Sequence, residues 1–143
     1  MEVEMPRIEH VNLIVPQIEP TKNFLLAAFP NWRQRATGPN EWHGVMRSWA
    51  HIGDDDFYIS LYDGGIGPMR DLKSVACGLA HVGFTVESLD ELIENLAKSG
   101  FEVDHFAGDH PHRRNAYYID PQGLEFEFVE YFTNIGELKN QYS

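Results

Sequence analysis

Two stretches of the chain carry the same alternation of polar and apolar residues. Residues 8–15 read Ile-Glu-His-Val-Asn-Leu-Ile-Val, and residues 79–86 read Leu-Ala-His-Val-Gly-Phe-Thr-Val. The His-Val pair is identical, and the flanking apolar positions correspond. Alternation together with β-branched residues is typical of β-strands. The similarity of the two stretches indicates an internal repeat, which constrains the fold before any single element is assigned.

A helix signal follows each repeated strand. Pro20 stands in the first turn of the first predicted helix, and Pro30 closes that helix. Ser88 and Glu91 form a capping box at the start of the second helix, and Gly100 ends it. Three further strands are predicted after each helix, near residues 32–35, 45–51, 57–62, 101–106, 116–119 and 124–130.

The order of elements predicts an α+β fold built from two βαβββ modules. We expect module one over residues 7–70 and module two over residues 78–132, followed by a C-terminal tail, residues 133–143. The length suits one compact domain over residues 1–143, in which the two modules share a core. We therefore expect the modules to pair into one curved, cup-shaped mixed sheet.

Strand periodicity places polar side chains on one face of this predicted sheet. Alternate residues of a strand point to opposite faces. The large apolar side chains of the last strand, Phe126 and Phe128, therefore take the side that the helices can cover. His10, His81 and Glu127 take the other side. In a sheet curved as predicted, these three side chains would enter one cup.

Two neutral imidazoles and one carboxylate are the ligand set of a facial metal triad, which leaves coordination positions open for substrate or water. A single histidine on a strand is more often a hydrogen-bonded structural residue, and a single glutamate near a strand end is more often a solvated charge. His10 and His81 stand at equivalent positions of the repeat, and Glu127 has the same parity. This combination favours a metal site.

Composition argues against several classes of partner. The chain has 11 Lys and Arg residues against 22 Asp and Glu, a formal net charge of -11, and such a surface repels phosphate backbones and anionic lipid. We therefore expect neither nucleic acid nor membrane as a partner. The longest apolar run, residues 24–29, is too short to cross a bilayer, and residues 1–6 lack an apolar signal core. With its single cysteine, Cys77, the chain is expected to be cytoplasmic.

These motifs resemble the vicinal oxygen chelate superfamily, which includes glyoxalase I, methylmalonyl-CoA epimerase, fosfomycin-resistance transferases, bleomycin-resistance proteins and extradiol dioxygenases. The resemblance covers residues 7–132 and rests on three segments, residues 8–11, 79–84 and 117–127. It implies paired βαβββ modules forming a cup around a divalent metal ion. Carried over residue by residue, it implies three metal ligands, namely His10, His81 and Glu127.

The most characteristic motif is the Asp-Pro-x-Gly turn of residues 120–123, which the family uses to join two strands and deliver the last ligand. Pro121 presets the turn, and Gly123 supplies permissive dihedral angles. The register of Glu127, which follows shortly after this turn, is therefore fixed.

One position departs from the pattern of glyoxalase I and the epimerase. In those enzymes a fourth ligand comes from the last strand of the first module, and Ser60 aligns best with it, because it precedes Leu61 as Glu127 precedes Phe128. A neutral serine is a poor ligand for a divalent ion. The resemblance thus favours three-ligand members such as the extradiol dioxygenases, which use two His and one Glu for Fe(II) or Mn(II).

The dioxygenase signature around the last ligand is largely met by His110, Tyr117, the Asp-Pro-x-Gly turn and Glu127. It implies that Tyr117 hydrogen-bonds a substrate oxygen and that His110 is a hydrogen-bonding partner or proton carrier, since imidazole titrates near neutrality. The acid/base histidine of those enzymes has no counterpart in residues 55–57. His51 is the candidate for that role, provided that its strand turns it inward.

We therefore expect an extradiol-dioxygenase-like, metal-dependent protein that acts on a small substrate chelating the ion through vicinal oxygens. Fe(II) is the first expectation for the metal, and Mn, Zn, Ni and Co also suit the ligand set. Family members often dimerise, so we expect a homodimer, with the cup completed within one chain or across two.

Two alternatives stay open. A glyoxalase-like lyase or isomerase would need a general base, for which the candidates are Glu125, Tyr58 and His51. A bleomycin-resistance-type binding protein would hold an aromatic molecule without chemistry, in a cleft lined by tryptophans, for which the candidates are Trp32, Trp42 and Trp49.

Overall fold

The computed structural model describes residues 6–142. Ser143 and residues 1–5 lie outside the described chain, and so does most of the segment in which no signal peptide was predicted. The chain divides into two compact units, one ending at Gly67 and the other starting at Pro68. Each unit contains one βαβββ module with its own four-stranded sheet. This confirms the predicted α+β class and the repeat. Two expectations stay predictions. One is that the chain forms one domain with the predicted module limits, and the other is that both sheets join into one cup.

Module one consists of β1 (His10–Ile14), α1 (Ile18–Ala28), β2 (Arg33–Trp42), β3 (Val45–Gly53) and β4 (Tyr58–Tyr62). Its strand order is β1-β4-β3-β2, with β1 parallel to β4 and the other neighbours antiparallel. Module two consists of β5 (Val82–Thr85), α2 (Leu89–Lys98), β6 (His105–Phe106), β7 (Arg113–Ile119) and β8 (Glu125–Tyr131). Its order, β5-β8-β7-β6, repeats the same connections. A short helix, α3 (Gly136–Lys139), follows in the tail.

The second helix forms where its sequence signals place it. The Ser88 hydroxyl accepts a hydrogen bond from the backbone N–H of Glu91 at 3.1 Å, which confirms the predicted N-cap. Lys98 stands in the last turn, where a cation is favoured by the helix dipole. The side chains that this helix itself buries are leucines at helical spacing, namely Leu89, Leu92 and Leu96.

Strand β2 is much longer than the sequence predicted. Gly38 and Pro39 are typical of a loop, yet they lie within β2. Because β2 is the edge strand, the missing N–H of proline need not cost a ladder hydrogen bond. The indole of Trp49 lies over Gly38, 3.3 Å from where a Cβ would stand, so the glycine makes room for the ring. The strand predicted at residues 101–106 is, by contrast, confined to β6.

The buried sides of the two sheets match the predicted apolar faces. Phe126 and Phe128 of β8 are fully buried, as are Phe24 and Leu25 of α1. The alternating Glu125 and Glu127 stand on the opposite side of β8, which we call the polar face of module two. The corresponding side of β1, β4 and β3 is the polar face of module one. None of the helices within residues 6–142 is long and apolar enough to cross a bilayer.

The core assignment gives a stability prediction for Phe126→Ala. The ring is fully buried, and truncating a buried phenylalanine typically costs about 3–5 kcal/mol. Phe132 is 56% exposed, so Phe132→Ala is the matched control and is expected to stay within about 0.5 kcal/mol of wild type. Urea unfolding followed by circular dichroism measures both changes. Equal losses for the two variants would contradict this placement of the core.

Candidate functional site

Strand register gives the two modules matching positions. The strand residue two positions after each repeated histidine pairs with Ser60 in module one and with Glu127 in module two. Ser60 therefore occupies the position that the sequence alignment assigned to it. It is buried, and its hydroxyl carries no charge that would attract a cation. The carboxylate of this repeat position is present in module two alone.

The polar face of module two holds His81 against two carboxylates. His81 Nε2 lies 3.0 Å from Glu127 Oε2, and His81 Nδ1 lies 3.3 Å from Glu125 Oε1. The two glutamate side chains are 15% and 17% exposed, against 36% for the histidine. Both carboxylates are therefore partly shielded from water.

A neutral imidazole has one N–H donor, yet both ring nitrogens of His81 meet a carboxylate oxygen. If Nδ1 donates to Glu125, the lone pair of Nε2 faces the negatively charged Glu127 oxygen. Either an imidazolium ion or a cation held jointly by Nε2 and Oε2 satisfies both contacts. The arrangement is therefore chemically suited to a positive ion at this point.

Two residues of β7 hold Glu127 from the other side. Asn115 Nδ2 donates a hydrogen bond to Glu127 Oε1 at 2.6 Å. Burial, followed by the hydrogen bond to Glu127 and the charges of Glu127 and Glu125, raises the pKa of Tyr117. Tyr117 is therefore a neutral phenol, able to donate, through the neutral pH range. Sequence analysis did not single out Asn115, although it has the parity of Tyr117 on the same strand.

His105 extends the polar face beyond Tyr117. Its ring stacks on Tyr117 with centroids 4.4 Å apart, and its Nδ1 lies 2.7 Å from Asp104 Oδ2. His105 pairs with Tyr117 in the sheet, and Tyr117 pairs in turn with Glu127. His105 was given no role from the sequence.

The polar face of module one centres on His10. His10 Nδ1 is hydrogen-bonded to Glu9 Oε1 at 2.9 Å, and the ring stacks on Tyr58 with centroids 4.8 Å apart. The Tyr58 hydroxyl donates to the same Glu9 oxygen at 3.4 Å. With Nδ1 engaged, the nitrogen of His10 that is left for another partner is Nε2.

His51 lies on the same polar face as His10. Its ring centroid is 4.3 Å from that of Tyr58 and 4.7 Å from that of Trp49. Burial lowers the pKa of His51, and the charges of Arg35 and His10 lower it further, although Glu9 opposes them. His51 is thus biased toward the neutral imidazole. His51 pairs with Ser60 in the sheet, and its acid/base role stays a prediction.

The three tryptophans do not form one group. Trp42 packs edge-on against Tyr62, with centroids 4.9 Å apart, and Tyr62 pairs with Trp49 in the sheet. Trp32 instead packs on Phe29 and Phe57, 4.5 Å and 6.1 Å away. We call five rings on the polar face of module one the aromatic row. They form two sets of contacting rings, Trp42 with Tyr62, and His51 with Trp49 and Tyr58.

His110 is engaged with neighbouring backbone. Its Nδ1 accepts from the N–H of His112 at 3.1 Å, so its Nε2 is the donor to the Gln141 carbonyl at 2.8 Å. It lines a groove of about 740 Å³ together with Phe106, Phe132 and Arg113. The structure ties His110 to the C-terminal segment, and its predicted part in proton transfer is untested.

The predicted ligands can be tested for their fit to a metal ion. Two ligand atoms that each lie about 2.1 Å from an ion, at about 90° to one another, are about 3.0 Å apart. The 3.0 Å between His81 Nε2 and Glu127 Oε2 fits two adjacent positions of an octahedral ion. Among the residues that the structure describes, no three His, Cys, Asp or Glu side chains form a group that could hold a metal ion.

Comparison with known proteins agrees with the repeat and the fold. The family model described as Glyoxalase/Bleomycin resistance protein/Dioxygenase superfamily matches residues 7–128. Protein YwkD of Bacillus subtilis (strain 168), described as uncharacterized, is 32% identical over 75 residues. This match covers 52% of the present chain and 59% of YwkD, so the chain spans little more than half the length of that relative.

Solved structures share the fold over nearly the whole chain. A glyoxylase/bleomycin resistance protein/dioxygenase domain from Frankia sp. EAN1pec has a TM-score of 0.70 and 25% identity, over 90% of this chain and 99% of that one. The fosfomycin resistance protein FosX from Listeria monocytogenes, complexed with Mn(II) and sulfate ion, has a TM-score of 0.66 and 18% identity, over 96% and 100%. The likeness to FosX shows the fold alone. Because the family model matches most of its length, the chain belongs to the glyoxalase/bleomycin resistance protein/dioxygenase superfamily.

Proposed function

We propose that this protein is a divalent-metal-dependent enzyme whose small substrate binds the ion through two adjacent oxygen atoms, with His10, His81 and Glu127 as metal ligands. The observation that supports this most is the approach of His81 Nε2 to Glu127 Oε2, at a distance suited to two ligands of one ion. His10 is the repeat counterpart of His81 and would complete the triad, from the same chain or from a second copy in a homodimer.

Fe(II) is the metal that we propose first, and Mn, Zn, Ni or Co would suit the same donors. The family relative FosX was crystallised with Mn(II), so the fold accommodates a divalent ion in that protein. Two imidazoles and one carboxylate leave open positions on the ion. A substrate can therefore chelate the metal without displacing a protein ligand.

The reaction that we propose is extradiol-like: a catechol-like diol and O2 give a ring-opened product that contains both oxygen atoms, with no further reductant. A divalent ion supplies positive charge that stabilises negative charge developing on the bound oxygens. Tyr117, neutral because its pKa is raised, donates a hydrogen bond to a substrate oxygen. His51, biased toward its neutral form, accepts a proton from a substrate hydroxyl.

The lyase or isomerase alternative has weaker support. Ser60 stands where a fourth, charged ligand would be needed. Of the candidate bases, Glu125 is engaged with His81, and burial together with Glu9 raises the pKa of Tyr58 and so makes its phenol harder to deprotonate. His51 is the remaining base.

The aromatic row favours a second candidate function, the binding of a planar aromatic molecule without chemistry. Its rings lie along the polar face of module one in two contacting sets, and aromatic side chains offer a large apolar surface to a flat ligand. This function needs no metal, which separates it from the first proposal experimentally.

Metal binding tests the first proposal. We expect the chelator-treated protein to bind Fe(II) under anaerobic conditions and then to consume O2 with a panel of catechols, giving a yellow product. His10→Ala, His81→Ala and Glu127→Ala each remove a ligand, so each should weaken metal binding by more than about 100-fold, beyond the 10–100-fold typical of outer partners. His43→Ala, in an exposed hairpin turn, is the matched control and should bind normally. A wild type that binds no divalent ion would refute the proposal.

The pKa of His51 gives a second prediction. NMR titration of the imidazole signals, assigned with His51→Gln, should place its pKa below 6.5, because burial and Arg35 disfavour the charged ring. Arg35→Gln removes the second of these causes, so the pKa should move up part of the way. Arg33→Gln is the control, because Arg33 pairs with Asp55 instead.

The lowered pKa of His51 also sets the direction in which the free energy of unfolding changes with pH. The folded chain takes up this proton at lower pH than the unfolded chain, so the free energy of unfolding falls as pH drops from 6.5 toward the folded pKa. His51→Gln should remove that part of the fall. A wild-type pKa at or above 6.5, or equal shifts in the two arginine variants, would contradict the environment described for His51.

The binding alternative makes its own prediction. If the aromatic row holds a flat ligand, a panel of aromatic compounds should quench tryptophan fluorescence in chelator-treated protein, and Trp42→Leu should weaken binding by about 10-fold or more, the scale of one stacking contact. Trp32→Leu is the matched control, because this half-buried ring lies outside the row. Quenching that depends on added metal would instead favour the enzyme.

A further inference from the structure

We propose that the ligand of the aromatic row is a flat aromatic molecule that carries a carboxylate, and that Arg35 binds this carboxylate. Arg35 is thereby a specificity-determining residue, which separates aromatic acids from neutral aromatic compounds. This inference rests on the second candidate function, because it concerns the same ligand. It involves module one alone and needs no metal ion.

A β-bulge brings Arg35 to the aromatic row. The register of β2 against β3 shifts between Gln34 and Ala36, so Arg35 is the extra residue of the bulge. A bulge bends its strand and re-aims a side chain, and bulges are over-represented next to active sites. The guanidinium carbon of Arg35 lies 4.5 Å from the ring centroid of Tyr58. The irregularity of β2 therefore places a cation on the polar face of module one.

The acidic residues near Arg35 are engaged with other groups. Asp55 pairs with Arg33 at 2.6 Å. Asp54 Oδ1 accepts hydrogen bonds from two backbone N–H groups of its own turn, each at 2.9 Å. Glu9 Oε1 is hydrogen-bonded to side chains of β1 and β4. Within residues 6–142, Arg35 therefore forms no ion pair with a carboxylate.

The guanidinium of Arg35 keeps donors for a ligand. Its Nη1 donates to the backbone carbonyl of Asp54 at 3.1 Å, which is its one hydrogen bond to the residues that the structure describes. A guanidinium has five N–H donors in a planar fork that matches the two oxygens of a carboxylate. Nε and Nη2 thus remain for the ligand, and a carboxylate is the group that suits them best.

The rings beside Arg35 are partly open to a flat molecule. His51 and Trp49 are half-buried, with ring centroids 4.7 Å apart. Their partners on the edge strand are the small residues Ala36 and Gly38. Directly paired residues of an antiparallel sheet share a face, so large side chains at these two positions would cover the rings. The edge strand therefore leaves part of this aromatic surface exposed.

Tyr58 joins the cation to the aromatic surface. The guanidinium carbon of Arg35 and the ring centroid of His51 lie 4.5 Å and 4.3 Å from the centroid of the same Tyr58 ring. Tyr58 is itself buried, so a ligand would contact the groups around it. One small aromatic acid can therefore lay its ring on His51 and Trp49 and direct its charged group to Arg35.

Matched ligand pairs test this inference in chelator-treated protein. Benzoate, cinnamate and naphthoate are each compared with the neutral amide of the same compound, by isothermal titration calorimetry at about pH 7.5, where the carboxylates are charged. At least one acid should bind wild type about 10-fold or more tightly than its amide, the scale of a hydrogen bond to a charged group. Arg35→Gln should reduce this preference to less than about twofold and leave the affinity for the amide unchanged.

Arg33→Gln is the matched control, because Arg33 stands on the same strand but pairs with Asp55. It removes the same charge and should keep the preference for the acid. Arg35→Lys keeps the charge without the planar fork, so it should retain part of the preference. Both arginines are exposed, so the thermal unfolding midpoints of these variants should stay at that of wild type.

A second substitution, Ala36→Leu, tests where the ring of the ligand lies. The leucine would cover His51, so the affinities for acid and amide should fall together by about 10-fold or more. Gln34→Leu is the control, because Gln34 pairs with Ile52 on the opposite face of the sheet.

The outcomes separate this inference from the function on which it rests. A wild-type preference below about twofold, or a preference that survives Arg35→Gln, would overturn the inference and leave aromatic binding in place. Normal binding by Ala36→Leu would overturn it as well, because the ligand would then lie elsewhere. A wild type that binds no compound of the wider aromatic panel would overturn the second candidate function itself.

Discussion

The register between β5 and β8 is the constraint on which the candidate site depends. Val82 pairs with Phe126, so the strands bring His81 alongside Glu125 and Glu127. A slip of one residue would turn both carboxylates into the core and both phenylalanines toward solvent. Because Phe126 is fully buried, such a slip would lose the burial of a large ring as well as bury two charges. The apolar core therefore fixes the position of the polar site on its other side.

The two modules share this strand pairing, but the side chains at equivalent positions of their polar faces differ. Module two places Asn115, Tyr117 and Glu127 on its polar face. Asn115 and Tyr117 hydrogen-bond the negatively charged carboxylate of Glu127. At the corresponding positions module one has Trp49, His51 and Ser60, which build an aromatic surface instead. The polar face of module two thus carries carboxylates, and that of module one carries mostly aromatic rings.

Much of the fold follows from the sequence because local signals and the repeat agree. The Ser88 cap, the leucine spacing of α2 and the alternation of β8 all predict what the structure shows. The length of β2 was missed because Pro39 is typical of a loop, whereas its tolerance on an edge strand depends on which strands become neighbours. That choice is made by long-range pairing, which no local pattern contains.

The candidate site was predictable in part for the same reason. Parity and the repeat singled out His81 and Glu127, and the structure brings this pair together. Asn115 and Glu9 were missed, because their roles lie in side-chain contacts that the parity of a strand does not specify.

The proposed function requires two imidazoles and one carboxylate to bind a common ion. X-ray absorption of the Fe(II)-reconstituted protein tests it most directly, since imidazole rings give a distinct multiple-scattering pattern. We expect two imidazoles and oxygen donors at about 2.0–2.2 Å, with one imidazole lost in His81→Ala. A shell of oxygen donors without imidazole, unchanged by that substitution, would contradict it.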